Sequence, residues 1–209
     1  MKILKIISEK FGQNNYIVSV GESSILIDGS AYVSQVEENL KLCDGDKINA
    51  IFLTHCHFDH IQELDNLIKK YMCPVYIHKS GKSSLYNENE NMSIMDVPMK
   101  IKTKKGIKTF KDGDEIQIGD ILVKCYNTAG HTADSSCFLI DNNLFTGDTV
   151  FKVGVGRFDL FSGDEQQLKI SLRRIKDELS EGVETIYPGH GSNCSKEELD
   201  YNIGHYLGE

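Results

Sequence analysis

Residues 48–60 read Ile-Asn-Ala-Ile-Phe-Leu-Thr-His-Cys-His-Phe-Asp-His, an apolar run that ends abruptly in four metal-capable side chains, His55, His57, Asp59 and His60. Side chains of an extended chain alternate with a period of two, so His55 and His57 point the same way and Cys56 points away. Two imidazoles aimed at one point suit a divalent cation. Asp59 and His60 fall where the chain turns into a helix, and can face a second point nearby. A run of incidental histidines is the bland alternative, but four potential ligands within six residues at a strand end speak against it.

Three further stations lie downstream at strand-to-loop junctions: Gly130-His131-Thr132, Thr146-Gly147-Asp148-Thr149 and Pro188-Gly189-His190-Gly191. In each, glycine precedes the ligand candidate and lets the backbone approach closely. Singly, each also reads as an ordinary turn. Alongside the first cluster they make one constellation.

Around these stations the pattern is of short strands and amphipathic helices. Strands are expected at Ile3–Ile7, Asn15–Val20, Ser24–Asp28, Ile48–Thr54 and Pro74–His78, then at Glu115–Ile118, Ile121–Tyr126, Ser136–Ile140, Leu144–Thr146 and Thr185–Tyr187. Helices are expected over Ser34–Leu42, along Ile61, Leu64, Leu67 and Ile68, and over Asp164–Leu179 with Asp164 as its cap. A last helix opens on the capping box Ser195-Lys196-Glu197-Glu198. The segment 79–111 is the least regular. Its lysines at 100, 102, 104, 105, 108 and 111 fit a lysine-protected edge strand better than an anion-binding patch. Strands followed by helices in each half imply two sheets packed face to face with helices outside, in one domain over 1–209.

With 209 residues the chain has enough length for an ordinary core without disulfides. Its six cysteines form no Cys-x-x-Cys pair, and the N-terminal apolar stretch is too short for a signal peptide. Reduced thiols and a cytoplasmic location are the expectation. No apolar run approaches a membrane span. The net charge of −8 repels phosphate backbones, which argues against a nucleic-acid partner. The oligomeric state is not encoded in any motif.

The constellation resembles the metallo-β-lactamase-fold hydrolases, most of all their glyoxalase II branch of hydroxyacyl-thioester hydrolases. Ser24–Asp28, Thr54–His60, Gly130–Thr132, Thr146–Thr149, Gly154–Leu160 and Pro188–Gly191 carry the resemblance. It implies a four-layer αββα sandwich, α/β in class, with the site at one rim. It also implies two divalent metal ions, zinc by default with iron or manganese as alternatives. His55, His57 and His131 would hold one ion, and Asp59, His60 and His190 the other. Asp148 would bridge them, making Asp59 and Asp148 the carboxylates at the catalytic centre. Cations sharing a water lower its pKa towards 7, so that a bridging hydroxide attacks the substrate's carbonyl. A small-molecule thioester is the implied substrate, because a thiolate, with a pKa near 8.5, leaves with little proton assistance.

The chain departs from the branch in places. Ala129-Gly130 stands where Pro-Gly is frequent, and Ala133-Asp134-Ser135 replaces Pro-Gly-Ser, which places an acidic Asp134 near the expected pocket rim. Within these 209 residues there is no room for the C-terminal helical domain of the longer glyoxalase II enzymes, so its grip on glutathione is not expected. Arg157 occupies the place of a basic residue that contacts the thiol carrier's carboxylate, although pairing with Asp159 or Asp164 explains it equally well. His78, His205 and Cys194 read as structural. Tyr86, Met92, Met95 and Met99 read as packing beneath a long loop rather than as a flap. The chief rivals to a thioester hydrolase are an iron-dependent persulfide dioxygenase, which shares the Thr-His-Cys-His start, and a lactone or ester hydrolase of the same fold.

Overall fold

The computed structural model describes residues 1–209. Its first half is a six-stranded sheet in the order β1 (Lys2–Ile7), β2 (Asn14–Val20), β3 (Ser23–Ile27), β4 (Ala50–Phe52), β5 (Val75–His78) and β6 (Ile107–Phe110). The second half is a six-stranded sheet in which β7 (Glu115–Ile118), β8 (Ile121–Asn127), β9 (Ser136–Ile140), β10 (Asn143–Gly147), β11 (Thr185–Pro188) and β12 (Cys194–Ser195) lie side by side. The first sheet is antiparallel from β1 to β3 and parallel from β3 to β6.

Strand alternation explains the layering. Tyr16, Ile27, Phe52 and Tyr76 sit in register across the first sheet and face Phe138, Phe145 and Val123 of the second, forming the inner core. The ring of Phe52 stacks on Tyr76 and meets Phe138 edge-on. Their neighbours Ile17, Leu26, Ile51 and Val75 point outward against α1 (Val33–Leu40) and α3 (Leu64–Tyr71). On the other side α4 (Glu165–Arg174) and α5 (Lys196–Leu207) cover the second sheet through Leu168, Leu172, Leu199 and Ile203. The result is the expected αββα sandwich. β4 is buried on both faces, which is why it reads as a continuous apolar run. No helix is long and apolar enough to cross a membrane.

Several boundaries differ from expectation for local reasons. The strand drawn to Thr54 stops at Phe52, because the Thr54 N–H donates to the Asp28 carboxylate rather than to the sheet. The helix after the cluster breaks into α2 (Phe58–Ile61) and α3. The helix drawn to Leu179 widens into a π turn over Ile175–Leu179, while Asp164 caps its start through the N–H groups of Gln166 and Gln167. The Ser195–Glu198 capping box forms in both directions. Within 79–111 the expected lysine-bearing edge strand forms as β6, confined to Ile107–Phe110, which pairs with β5 at the sheet's edge with Lys108 on its exposed side.

The ends of β4, β8, β10 and β11 meet at one rim, where Ser136 N–H donates to the Thr54 carbonyl between the sheets. Gly130 shows how tightly this rim is closed: its φ is +146°, and a Cβ there would lie 2.3 Å from the Leu168 Cα of α4. Gly130→Ala should therefore lower Tm by roughly 5 °C or more, the scale of a strained backbone conformation plus a backbone clash in a chain of this size. Thermal unfolding followed by circular dichroism checks this, and an unchanged Tm overturns it.

Candidate metal centre

The site begins where β4 lets go of the sheet. Asp28, at the end of β3, adopts a left-handed backbone (φ 65°) and turns its carboxylate inward. One oxygen accepts from Thr54 N–H at 2.8 Å, and the other lies 2.8 Å from His60 Nδ1. This hold bends the chain so that His55 and His57 face the rim, while Cys56 turns into the outer core. Helix α2 then carries Asp59 and His60 to the same place. Gly147-Asp148 leaves β10 and Gly189-His190 leaves β11, two parallel neighbours. A Cβ at Gly189 would lie 2.1 Å from an Asp148 oxygen and 2.8 Å from the His60 ring, so only glycine lets this backbone pass.

All seven expected residues converge. The ligand atoms of His55, His57 and His131 lie within 4.8 Å of one another, as do those of Asp59, His60 and His190 and those of His55, His60 and Asp148. His131 Nε2 is 2.9 Å from His57 Nδ1 and 3.3 Å from His55 Nε2. In the second group His190 Nε2 is 3.2 Å from Asp59 Oδ2 and His60 Nε2 is 3.9 Å from it. Asp148 looks both ways: Oδ1 is 3.3 Å from His60 Nε2, and Oδ2 is 3.5 Å from His190 Nε2 and 3.9 Å from His131 Nε2.

The outer nitrogens of the rings are held from behind. His131 Nδ1 lies 2.6 Å from the Arg157 carbonyl and donates to it, and His60 Nδ1 donates to Asp28, so each ring presents an unprotonated Nε2 to the centre when neutral. Gln13 Nε2, 3.2 Å from Asp28, and Thr54 Oγ1 complete that support. Burial, then the neighbouring His60, hold the His55 ring well below the usual imidazole range. Burial and His131 bring His57 down to about 3. Burial opposes the charge of His60 as well, but Asp148, Asp28 and Asp59 outweigh it and push that ring well up. Burial would raise Asp148, yet His60, His190 and His131 hold it below the usual carboxylate range.

These residues fit divalent cations. His60 Nε2 and Asp148 Oδ1 are buried without a hydrogen-bond partner, an expensive arrangement unless a cation lies between them. Three imidazole nitrogens crowd one point, and carboxylates and imidazoles are the donors that zinc, iron and manganese share. Loading the second group must displace the His60 proton.

A cleft of about 590 Å³ opens over the donors, lined by Asp59, Asp148, His57 and His131 and by apolar side chains including Phe11, Phe58, Met92 and Met95. Met92 and Met95 thus line the site rather than packing beneath a loop, whereas Tyr86 and Met99 do pack on the outer core. Asp134 is not at the rim. Its buried carboxyl lies 3.5 Å from Cys56 Sγ, and a Cβ on Gly81 would lie 2.0 Å from its oxygen, so it occupies the outer side of the His55–His57 turn. Arg157 lies at the cleft's edge with its fork engaged by Asp159 through two contacts of 2.9 Å. Sequence reasoning passed over Asp28, Gln13 and Thr54. Ile27-Asp28-Gly29 ends a strand much as Phe145-Thr146-Gly147-Asp148 does, and that likeness was the available signal.

The model of the Metallo-beta-lactamase superfamily matches residues 9–190. The chain is 34% identical over 205 residues to a probable metallo-hydrolase of Methanocaldococcus jannaschii, covering 95% of this chain and 97% of that protein. It is 32% identical to a probable polyketide biosynthesis zinc-dependent hydrolase of Bacillus subtilis over 84% of this chain and 71% of that one. The crystal structure of the BLEG-1 B3 metallo-β-lactamase superposes with a TM-score of 0.84 at 25% identity, covering 96% of this chain and 98% of the other.

Two outcomes are expected. Asn tolerates the backbone of Asp28, but Asp28→Asn would set an NH₂ group against His60 Nδ1–H or force the other tautomer, so metal affinity should fall about 10–100-fold. Competition with a chromophoric chelator measures this, and an unchanged affinity removes the orienting role.

The second concerns pH in chain stripped of metal. Unfolded histidines titrate near 6.5, so between about pH 3 and 6.5 the unfolded chain binds more protons at positions 55 and 57 than the folded one, and stability falls with pH. Burial pushes the Asp134 carboxyl up to about 6, which acts in the opposite sense above about pH 4, but as one group against two. His60, raised in the folded state, adds its slope only above about pH 6.5. Tm should therefore drop between pH 7 and 5, and a rise on acidification contradicts the assignment.

Proposed function

The chain belongs to the metallo-β-lactamase superfamily, and on that premise we propose that it is a dinuclear metal-dependent hydrolase of small thioesters, like the glyoxalase II branch. In this reading His55, His57 and His131 hold one ion, Asp59, His60 and His190 the other, and Asp148 serves both. When bound, two divalent cations, zinc in the first instance, supply Lewis acidity and make water nucleophilic at neutral pH.

The protein's own contribution is orientation and charge. Asp28, Thr54 and the Arg157 carbonyl keep the rings aimed inward, and the surrounding histidines keep Asp59 and Asp148 ionised. Phe11, Phe58 and Phe151 give the cleft apolar walls beside these donors.

The thioester preference is carried by one observation: no side chain lining the cleft can give up a proton to a leaving group at neutral pH. Asp59 and Asp148 are held ionised, His57 and His131 belong to the donor set, Asp96 pairs with Lys10, and a guanidinium does not deprotonate. An amide or alkoxide leaving group needs such a proton, and a thiolate does not. The proposed role of Arg157 in binding a carboxylate on the thiol carrier requires that carboxylate to exchange with Asp159, an exposed pair held weakly enough to yield.

Elemental analysis should find two metals per chain, with Asp148→Ala losing most of them and nearly all activity. Thioesters should release thiol without oxygen, a β-lactam should be a poor substrate, and glutathione persulfide should cause little oxygen uptake. Rapid uptake with persulfide and no thioester cleavage would move the protein to the dioxygenases. A single metal untouched by His190→Ala would sink the dinuclear assignment.

A further inference from the structure

The wall of the cleft formed by Phe11, Phe58, Met92 and Met95 is drawn from three separate segments. Phe11 comes from the β1–β2 turn and meets Phe58, at the start of α2, edge to face at 5.1 Å. Phe58 N–H donates to the Asn91 carbonyl at 2.9 Å, which brings Met92 alongside. Met92 takes a left-handed backbone (φ 63°) and opens the single helical turn Ser93–Met95. Lys10 closes the outer end: its ammonium is 2.8 Å from Asp96 Oδ2 and 4.5 Å above the Phe11 ring. The β1–β2 turn and the 92–96 turn are thus clasped over an apolar surface, yet Met95 remains 68% exposed at the cleft mouth.

The polar inventory of the cleft is equally specific. Beyond the metal donors the charged lining groups are Asp96 and Arg157, and both are already paired, with Lys10 and Asp159. No uncharged hydroxyl or amide side chain lines the cleft to meet a hydroxyl on an acyl group. Methionine's unbranched, polarizable side chain moulds itself to flexible aliphatic partners.

We infer that this wall is a subsite for an unsubstituted aliphatic acyl chain, so that the substrates are medium-chain alkanoyl thioesters rather than hydroxyacyl ones. The inference rests on the acyl-hydrolase reading above and narrows it. The carbonyl sits at the metal donors and the chain runs outward over Phe58 and Phe11 towards Met95. Each methylene laid on the wall leaves water.

The test is an acyl series, acetyl to octanoyl, on one simple thiol, with thiol release as the readout. In parallel, calorimetry measures acetate and hexanoate binding to the metal-replete protein. For the wild type kcat/KM should climb about threefold per added methylene, the worth of a mostly buried CH₂, and hexanoate should bind at least about tenfold more tightly than acetate. Phe11→Ala and Met95→Ser, both at partly or largely exposed positions, should flatten both trends while their melting curves show an intact fold. A hexanoate preference that collapses in the variants supports the wall even if no thioester is cleaved, in which case only the thioester reading falls. Brisk thioester cleavage with a flat length profile leaves that reading standing and overturns the wall. So does a 3-hydroxyacyl substrate preferred over its unsubstituted counterpart.

Discussion

The carboxylate of Asp28 is the contact on which the rest of the site depends. It lies buried, where an unpaired charge is costly, and four groups stand against it: Thr54 N–H, Thr54 Oγ1, His60 Nδ1 and Gln13 Nε2. These contacts reach to both sides of the site. Thr54 marks where β4 leaves the sheet and His55 begins, while His60 closes the same cluster from α2. The carboxylate thus sets both the exit direction of the chain and the orientation of a ring. Gln13 links it in turn to the N-terminal turn, whose neighbour Asn14 donates through its backbone to Gly189. Four stations far apart in sequence are held to one another through this node.

The centre it organises is electrostatically unfinished as a set of protein groups alone. Burial drives His55 and His57 towards neutrality, whereas carboxylates on three sides draw a proton onto His60. Imidazole nitrogens point at one another at distances where at most one proton can be shared. Divalent cations would resolve both conflicts, since the bare nitrogens and the carboxylates of Asp59 and Asp148 are groups that would hold them. Metal affinity and folded-state stability are therefore linked in this protein.

The frame tolerates such a centre because its stability lies elsewhere. Aromatic contacts between the sheets, among them Phe52 with Tyr76 and Phe138, and Tyr16 with Phe145, pack beneath the rim rather than at it. Aliphatic layers under α1 and α3 and under α4 and α5 secure the outer faces. The rim is left to loops, where side chains need only be aimed.

Local chemistry was enough to read much of this from residue order alone. The alternation of an extended chain put His55 and His57 on one side and Cys56 on the other. Helical spacing found α4 with its Asp164 cap, and the Ser195–Glu198 box announced α5. Glycines before His131, Asp148 and His190 marked points of close backbone approach. These signals depend on periods of two and 3.6 and on hydrogen bonds within a few residues, which do not require the fold to be known. What only tertiary structure decided lies where neighbours in space are strangers in sequence. The lysines of 100–111 announced an edge strand, but its bounds and its partner β5 were settled only by packing. Asp28 looked like an ordinary strand-ending Asp-Gly until Thr54 and His60 came to its carboxylate. Asp134, close to His131 in sequence, is carried by the turn to Cys56 and Gly81 on the far side of the metal-binding loop. A side chain in a loop has no period to announce its direction, so its partner is settled by the packing of distant strands.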